Sequence, residues 1–244
     1  MKVINGTATK QISNPTKLDL GVYEIKVVKE KDIEYYKLEP YSKLVDGRFT
    51  IPPVIYGDIM TFLKIVWNTF AVSEKSEGSL FFGNSGSGKS DASSIIGNIC
   101  LNNHLPVVII QSLSADMELV KFIDDLPDCC IIFEEFGKIF PYYIQSKMLS
   151  LFSTTGVKRL YIINDNDKNG ISPFILNRPG RVSLKKEFSK LDQAVFEKYL
   201  DDHGVKANTT FFDDMIKMYK TTTVLSMDHV KYIIKMHLQY PELI

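Results

Sequence analysis

The chain has 244 residues, 45% hydrophobic and 24% charged, and its 29 Lys and Arg balance 29 Asp and Glu. That composition fits a soluble globular unit with a small appendage or a two-part module; it excludes a long multidomain machine and a mainly disordered chain. Zero net charge argues against broad, sequence-blind binding to nucleic acid, and no apolar run approaches the ~20 residues that cross a bilayer.

The opening MKVINGTATKQ lacks the apolar region of a signal peptide, so the sequence reads as cytoplasmic, with no membrane partner. Cys100, Cys129 and Cys130 have neither metal-site spacing nor the number for a disulfide framework, and read as small buried hydrophobes. Arginine is scarce: Arg48, Arg159, Arg178 and Arg181 are the full set. The excess of Lys over Arg, with many Asn and Ile, suggests an AT-rich coding genome such as that of a phage or a low-GC bacterium, which for a phage gene means the host cytoplasm.

Residues 1–55 read as a β-rich N-terminal segment. Tyr23, Ile25 and Val27 alternate with polar neighbours, a polar turn follows at 29–32, and Ile33 to Leu38 resumes the strand, which predicts a hairpin. From Asp58 the period becomes helical, with Ile59, Phe62, Leu63, Val66 and Phe70 on one face, and 73–78 reads as a polar loop. Four short apolar strands then alternate with helices: 80–82, 106–110, 129–133 and 160–163, with a helix around 146–152 before the last. This is the pattern of a mostly parallel sheet covered on both faces, an α/β subdomain over 56–188. From 189 to 244 only helical spacing remains, which predicts a small helical lid.

The chemistry begins at Gly83-Asn84-Ser85-Gly86-Ser87-Gly88-Lys89-Ser90, a full G-x-x-x-x-G-K-S phosphate loop between an apolar strand and a helix. Backbone N–H groups of such a loop curl around phosphate oxygens, Lys89 meets the β- and γ-phosphates of ATP, and the Ser90 hydroxyl ligates Mg²⁺. The third strand ends in Glu134-Glu135, with Glu134 placed to hold the metal shell and Glu135 to act as general base. Glu134 stands one methylene further out than the usual Asp. The fourth strand ends in Asn164-Asp165-Asn166, any of which could bridge the γ-phosphate and water, and Arg178 and Arg181 flank a rigid Pro-Gly turn suited to a phosphate.

In this order the motifs resemble an AAA+ ATPase of the AAA clade from about Ile55 to the C-terminus, a P-loop NTPase fold. Arg178-Pro179-Gly180-Arg181-Val182 is the most clade-specific stretch, and the wording of Gln111-Ser112-Leu113-Ser114 is similar to mitochondrial AAA chaperones that move the Rieske iron–sulfur protein. The resemblance implies that Asn166 is the polar sensor of the γ-phosphate, that Arg178 and Arg181 are arginine fingers reaching a neighbouring subunit, and that the chain forms a homo-oligomeric ring, a hexamer or heptamer. The sequence departs from the clade in three places. Phe136-Gly137 stands where a further Asp is usual, one extra residue between Asn166 and Arg178 leaves Asn164 as a rival sensor, and no aromatic-hydrophobic-Gly pore loop lies before Cys129. The expectation is an ATP-hydrolysing motor or chaperone that moves a macromolecular client, protein rather than DNA. The alternatives are a DNA-replication accessory ATPase of helicase or clamp-loader type, and a ring that binds ATP without turnover.

Overall fold

The N-terminal β pattern is realised in two parts. Short strands β1 (Lys2–Ile4) and β2 (Thr7–Thr9) pair antiparallel with each other, which the sequence pattern did not signal. The forecast hairpin is β3 (Val22–Glu30) and β4 (Ile33–Pro40), paired in register from Tyr23 opposite Pro40 to Glu30 opposite Ile33. The computed structural model describes residues 2–4, 7–9, 17–31, 33–153, 156–177, 181–223 and 225–240.

The hairpin does not stand apart from the next subdomain. After α1 (Ile59–Val72), strands β5 (Glu77–Gly83), β6 (Val107–Ile110), β7 (Cys130–Phe133), β8 (Leu160–Asp165) and β9 (Leu184–Phe188) complete one seven-stranded sheet in the order β4-β3-β6-β7-β8-β5-β9. Every neighbouring pair is parallel except β3 with β4. Because β3 docks parallel to β6, the hairpin extends the sheet at one edge, while β1 and β2 form a separate pair. Strand β9 was not anticipated: its burial alternates between exposed and half-buried positions, so it lacks the continuous apolar run of the inner strands.

Alternation along each inner strand sorts its side chains between two cores. Leu160, Ile162, Cys130, Ile132, Val107 and Ile109 face α1 and α2 (Lys89–Asn102), while Tyr161, Ile163, Ile131, Phe133, Val108 and Ile110 face α3 (Met117–Asp124). The three cysteines are free and buried, as expected. The helix expected at 146–152 is instead a 3₁₀ stretch over Met148–Ser153, preceded by single turns α4 (Phe136–Ile139) and α5 (Tyr142–Gln145). Pro141 lacks the N–H that would continue α4 and starts α5 in its place. A further turn, α6 (Pro173–Leu176), precedes β9.

The C-terminal helices α7 (Gln193–Asp202), α8 (Thr210–Thr221) and α9 (Met227–Gln239) bury Phe196, Leu200, Met215, Val230 and Ile234 in a core of their own. Two contacts seat this bundle on the sheet. The backbone N–H of Met227 donates to the Gly86 carbonyl at 3.1 Å, and Tyr56 packs edge-on against Tyr199 with ring centroids 5.0 Å apart while donating to Asp202 at 2.9 Å. Among the described residues no helix is long and apolar enough to cross a membrane.

Candidate functional site

The loop from Gly83 to Ser90 joins the end of β5 to the start of α2, as its sequence context required. Gly83, Gly86 and Gly88 take φ of 139°, 71° and 96°, a left-handed path closed to most side chains. At Gly86 the demand is also steric: a Cβ there would lie 2.4 Å from Ser226 Oγ and 3.0 Å from Asp228 Oδ2, because the start of α9 rests on the loop.

Lys89 heads α2 and is 8% exposed. Its ammonium donates to the loop's own carbonyls, Gly83 at 2.6 Å and Asn84 at 2.7 Å. Burial pulls its pKa below the ordinary lysine value, and the carboxylates of Glu134, Asp165 and Glu135 oppose that shift. Ser90 comes next and donates its hydroxyl to Glu134 Oε2 at 3.4 Å, so the loop and the acid strand meet where the sequence placed them.

The acids differ in environment. Glu134 is half-buried, and its other oxygen accepts from Asn164 Nδ2 at 2.9 Å; burial raises its pKa, while Asn164, Ser90 and Lys89 pull it down. Glu135 is exposed and sits at φ 50°, ψ 53°, a left-handed conformation that costs energy for a residue with a Cβ and that clusters at functional sites. Its carboxylate is paired with Lys138 at 2.8 Å. The turn that follows is braced by Asp165, which accepts from the N–H of Gly137 and, at 3.0 Å, from that of Asp167. A Cβ on Gly137 would come within 2.9 Å of both Asp165 Oδ2 and the Gly170 carbonyl, so Phe136-Gly137 serves local geometry: Phe136 fills the core and glycine admits the brace.

Asn166 lies just beyond β8 and is exposed at the cleft mouth, whereas Asn164 is 1% exposed and turned to α2. Arg178 lies outside the described residues. Arg181 is 7% exposed and donates to the Phe174 carbonyl at 2.8 Å, a contact within its own chain. Of the remaining arginines, Arg48 reaches the Asn98 carbonyl at the surface, and Arg159 is fully buried with its guanidinium on the carbonyls of Asp124, the last residue of α3, and Leu126 just after it.

Ser85 to Ser90, both acids and Asn164 to Asn166 line one cleft of about 820 Å³, within the size range of small-molecule sites, and none of Arg48, Arg159 and Arg181 lines it. One end holds the loop, both acids and Asn164 to Asn166; the other is walled by Ile51, Val54, Ile55 and Ile59 from the approach to α1 and by Leu191, Tyr199 and Met227 from the helical bundle. Asp91, Asp228 and Lys231 border the seam between loop and bundle, where burial raises the Asp91 pKa, Lys231 lowers it and Asp228 raises it. Sequence reading missed the bundle's share: these residues lie over a hundred positions from the loop and follow ordinary helical spacing. Two buried oxygens in the lining, Ser87 Oγ and the Tyr199 hydroxyl, have no hydrogen-bond partner among the described residues, so each is open to a polar group of a ligand.

The donor set suits magnesium. Among the described residues no group of three His, Cys, Asp or Glu could hold a metal ion unaided. One carboxylate and one hydroxyl beside a phosphate loop match an ion that keeps several waters and takes its remaining oxygens from phosphate. Against known proteins, no family model matches the chain and no curated protein matches it.

Proposed function

We propose that the chain is an ATPase of the AAA+ type, a motor or chaperone subunit that works as an oligomeric ring to move or remodel a macromolecular client. The observation that carries this reading is the meeting of the Gly83–Ser90 loop with Glu134, with Glu135 lining the same cleft, at the C-terminal ends of parallel strands and under a helical bundle. Crevices at that end of a parallel sheet are where such folds bind nucleotides.

In this reading the loop backbone holds the phosphates and Lys89 exchanges the carbonyls of Gly83 and Asn84 for phosphate oxygens. The apolar end of the cleft takes the base. Ser90 and Glu134 would hold magnesium, Glu134 through the ion's water shell, and the ion would supply charge neutralisation at the phosphates. Glu135 accepts the proton of the attacking water once its carboxylate leaves Lys138, and Asn166 orients that water from the exposed tip of β8. Arg178 and Arg181 serve the neighbouring subunit's nucleotide, and for Arg181 this requires release from the Phe174 carbonyl.

The Glu135–Lys138 ion pair favours a second reading, a ring that binds ATP without turnover, since it occupies the base. Phosphate release by the purified chain separates the two. Magnesium-dependent turnover supports the ATPase; background release alongside normal ATP affinity supports the scaffold.

A further inference from the structure

Between the phosphate-loop helix and strand β8 sits a polar cluster that the catalytic assignment leaves unused. Ile163 pairs with Phe133 across β8 and β7, so Asn164, next on β8, lies beside Glu134, the residue that follows β7. Asn164 shares its face with Leu160 and Ile162 and so points to α2. There it meets Ser93, one helical turn beyond Ser90: the amide nitrogen is 2.7 Å and the amide oxygen 3.1 Å from Ser93 Oγ. Asn164 and Ser93 are 1% and 2% exposed. An ionised carboxylate only accepts, so the 2.9 Å contact with Glu134 Oε1 fixes the amide nitrogen on the Glu134 side.

We infer that Asn164 is a positioning residue for the metal site, backed by Ser93: it ties down one oxygen of Glu134 so that the other stays at Ser90. This rests on the reading of Ser90 and Glu134 as the magnesium pair. It also accounts for the longer acid. Glutamate has one more rotatable bond than aspartate, so a carboxylate on that stem needs a second anchor to hold one orientation, and Asn164 supplies it from the adjacent strand. Asn164 thereby leaves the role of γ-phosphate sensor to Asn166.

The test is ATP affinity, by calorimetry on the full chain, measured with magnesium chloride and again with EDTA; the ratio is the metal's contribution to binding. Loss of a partner that orients a metal ligand typically costs about 10–100-fold in metal affinity. Asn164→Ala and the near-isosteric Asn164→Leu, which has no amide to donate to Glu134, are both expected to cut the ratio by that order while leaving affinity in EDTA unchanged. Ser93→Ala is expected to cut it less. In a Glu134→Gln background, Asn164→Ala is expected to add little, because the two act as a unit. A full ratio in folded Asn164→Leu or in folded Asn164→Ala, when Glu134→Gln has lost it, overturns the inference and leaves Asn164 as packing. Equal losses with magnesium and EDTA overturn it in favour of direct phosphate contact. A parent chain whose ATP affinity ignores magnesium overturns the underlying metal assignment as well.

Discussion

Ser90 Oγ donates to Glu134 Oε2 at 3.4 Å, joining the glycine-rich loop before α2 to a strand end 44 positions further along the chain. Glu135, the very next residue, makes no such contact and pairs with Lys138 at the surface. Adjacent glutamates are thus split into two environments by the end of β7, where the backbone leaves the strand for a left-handed residue.

That split predicts different losses. Glu135→Gln is expected to keep ATP binding and cut turnover by roughly 10²–10⁴, the effect of losing a general base. Glu134→Gln is expected to raise the magnesium concentration needed for half-maximal turnover. Steady-state phosphate release over a magnesium series checks both, and the reverse pattern would shift the assignment by one residue.

The arginine pair predicts a shared site. Arg178→Ala is expected to retain ATP binding and lose hydrolysis by on the order of 10³–10⁵, the effect of an arginine finger. Mixing that inactive protein with inactive Lys89→Ala is expected to restore part of the activity, since some interfaces then join an intact loop to an intact finger. Mixed rings that stay inactive at every ratio argue against a finger acting between subunits.

Much of this was legible in the chain. The loop sits where G-x-x-x-x-G-K-S demands, and the helix of α1 and the four inner strands follow their apolar spacing. The side-chain parity of β8 was also readable: Asn164 is two residues from Ile162 and shares its face toward α2, whereas Asn166, of the same parity, lies past the end of the strand and is exposed. Other features had no local signal. Strand β9 forms because its backbone finds β5, although its own side chains are mostly exposed or half-exposed. The docking of α9 on Gly86 is a contact between residues about 140 positions apart, which no short-range pattern encodes.

That docking makes Gly86 a sensitive position. Its φ of 71° disfavours any residue with a Cβ by about 1–2 kcal/mol, and the added methyl would also strike Ser226 and Asp228. Gly86→Ala is expected to lower the thermal midpoint by on the order of 2–8 °C and to weaken ATP binding by moving the bundle off the loop. Calorimetric scans and ATP titrations of the variant test this, and unchanged values in both would show that the α9 contact bears no load.

Away from the cleft, Tyr36 ties the hairpin to α3: its hydroxyl donates to Asp116 Oδ1 at 2.9 Å, the oxygen that also caps the helix by accepting from the N–H of Leu119 at 2.8 Å. Burial first, then the Asp116 carboxylate, raises the Tyr36 pKa well above its ordinary 10.0. Only the unfolded chain then ionises just above that value, so the stabilisation is complete below pH 10.0 and is lost as pH rises toward the folded value. Tyr36→Phe is expected to cost about 0.5–1.5 kcal/mol at neutral pH and to flatten the alkaline fall in stability. Urea melts from neutral pH to pH 11 or so would show it, and an unchanged alkaline slope would remove Tyr36 as its source.

The central claim is that the Gly83–Ser90 loop binds the phosphates of ATP, and Lys89 is the residue through which it is tested most directly. Its ammonium already sits on the loop carbonyls of Gly83 and Asn84, within the cleft the phosphates would enter. The measurement is isothermal titration of magnesium and ATP into the parent chain and into Lys89→Ala, with the fold of each checked by its melting curve. The account predicts saturable binding by the parent and its collapse in a variant that remains folded. Equal affinity in the two proteins would contradict it.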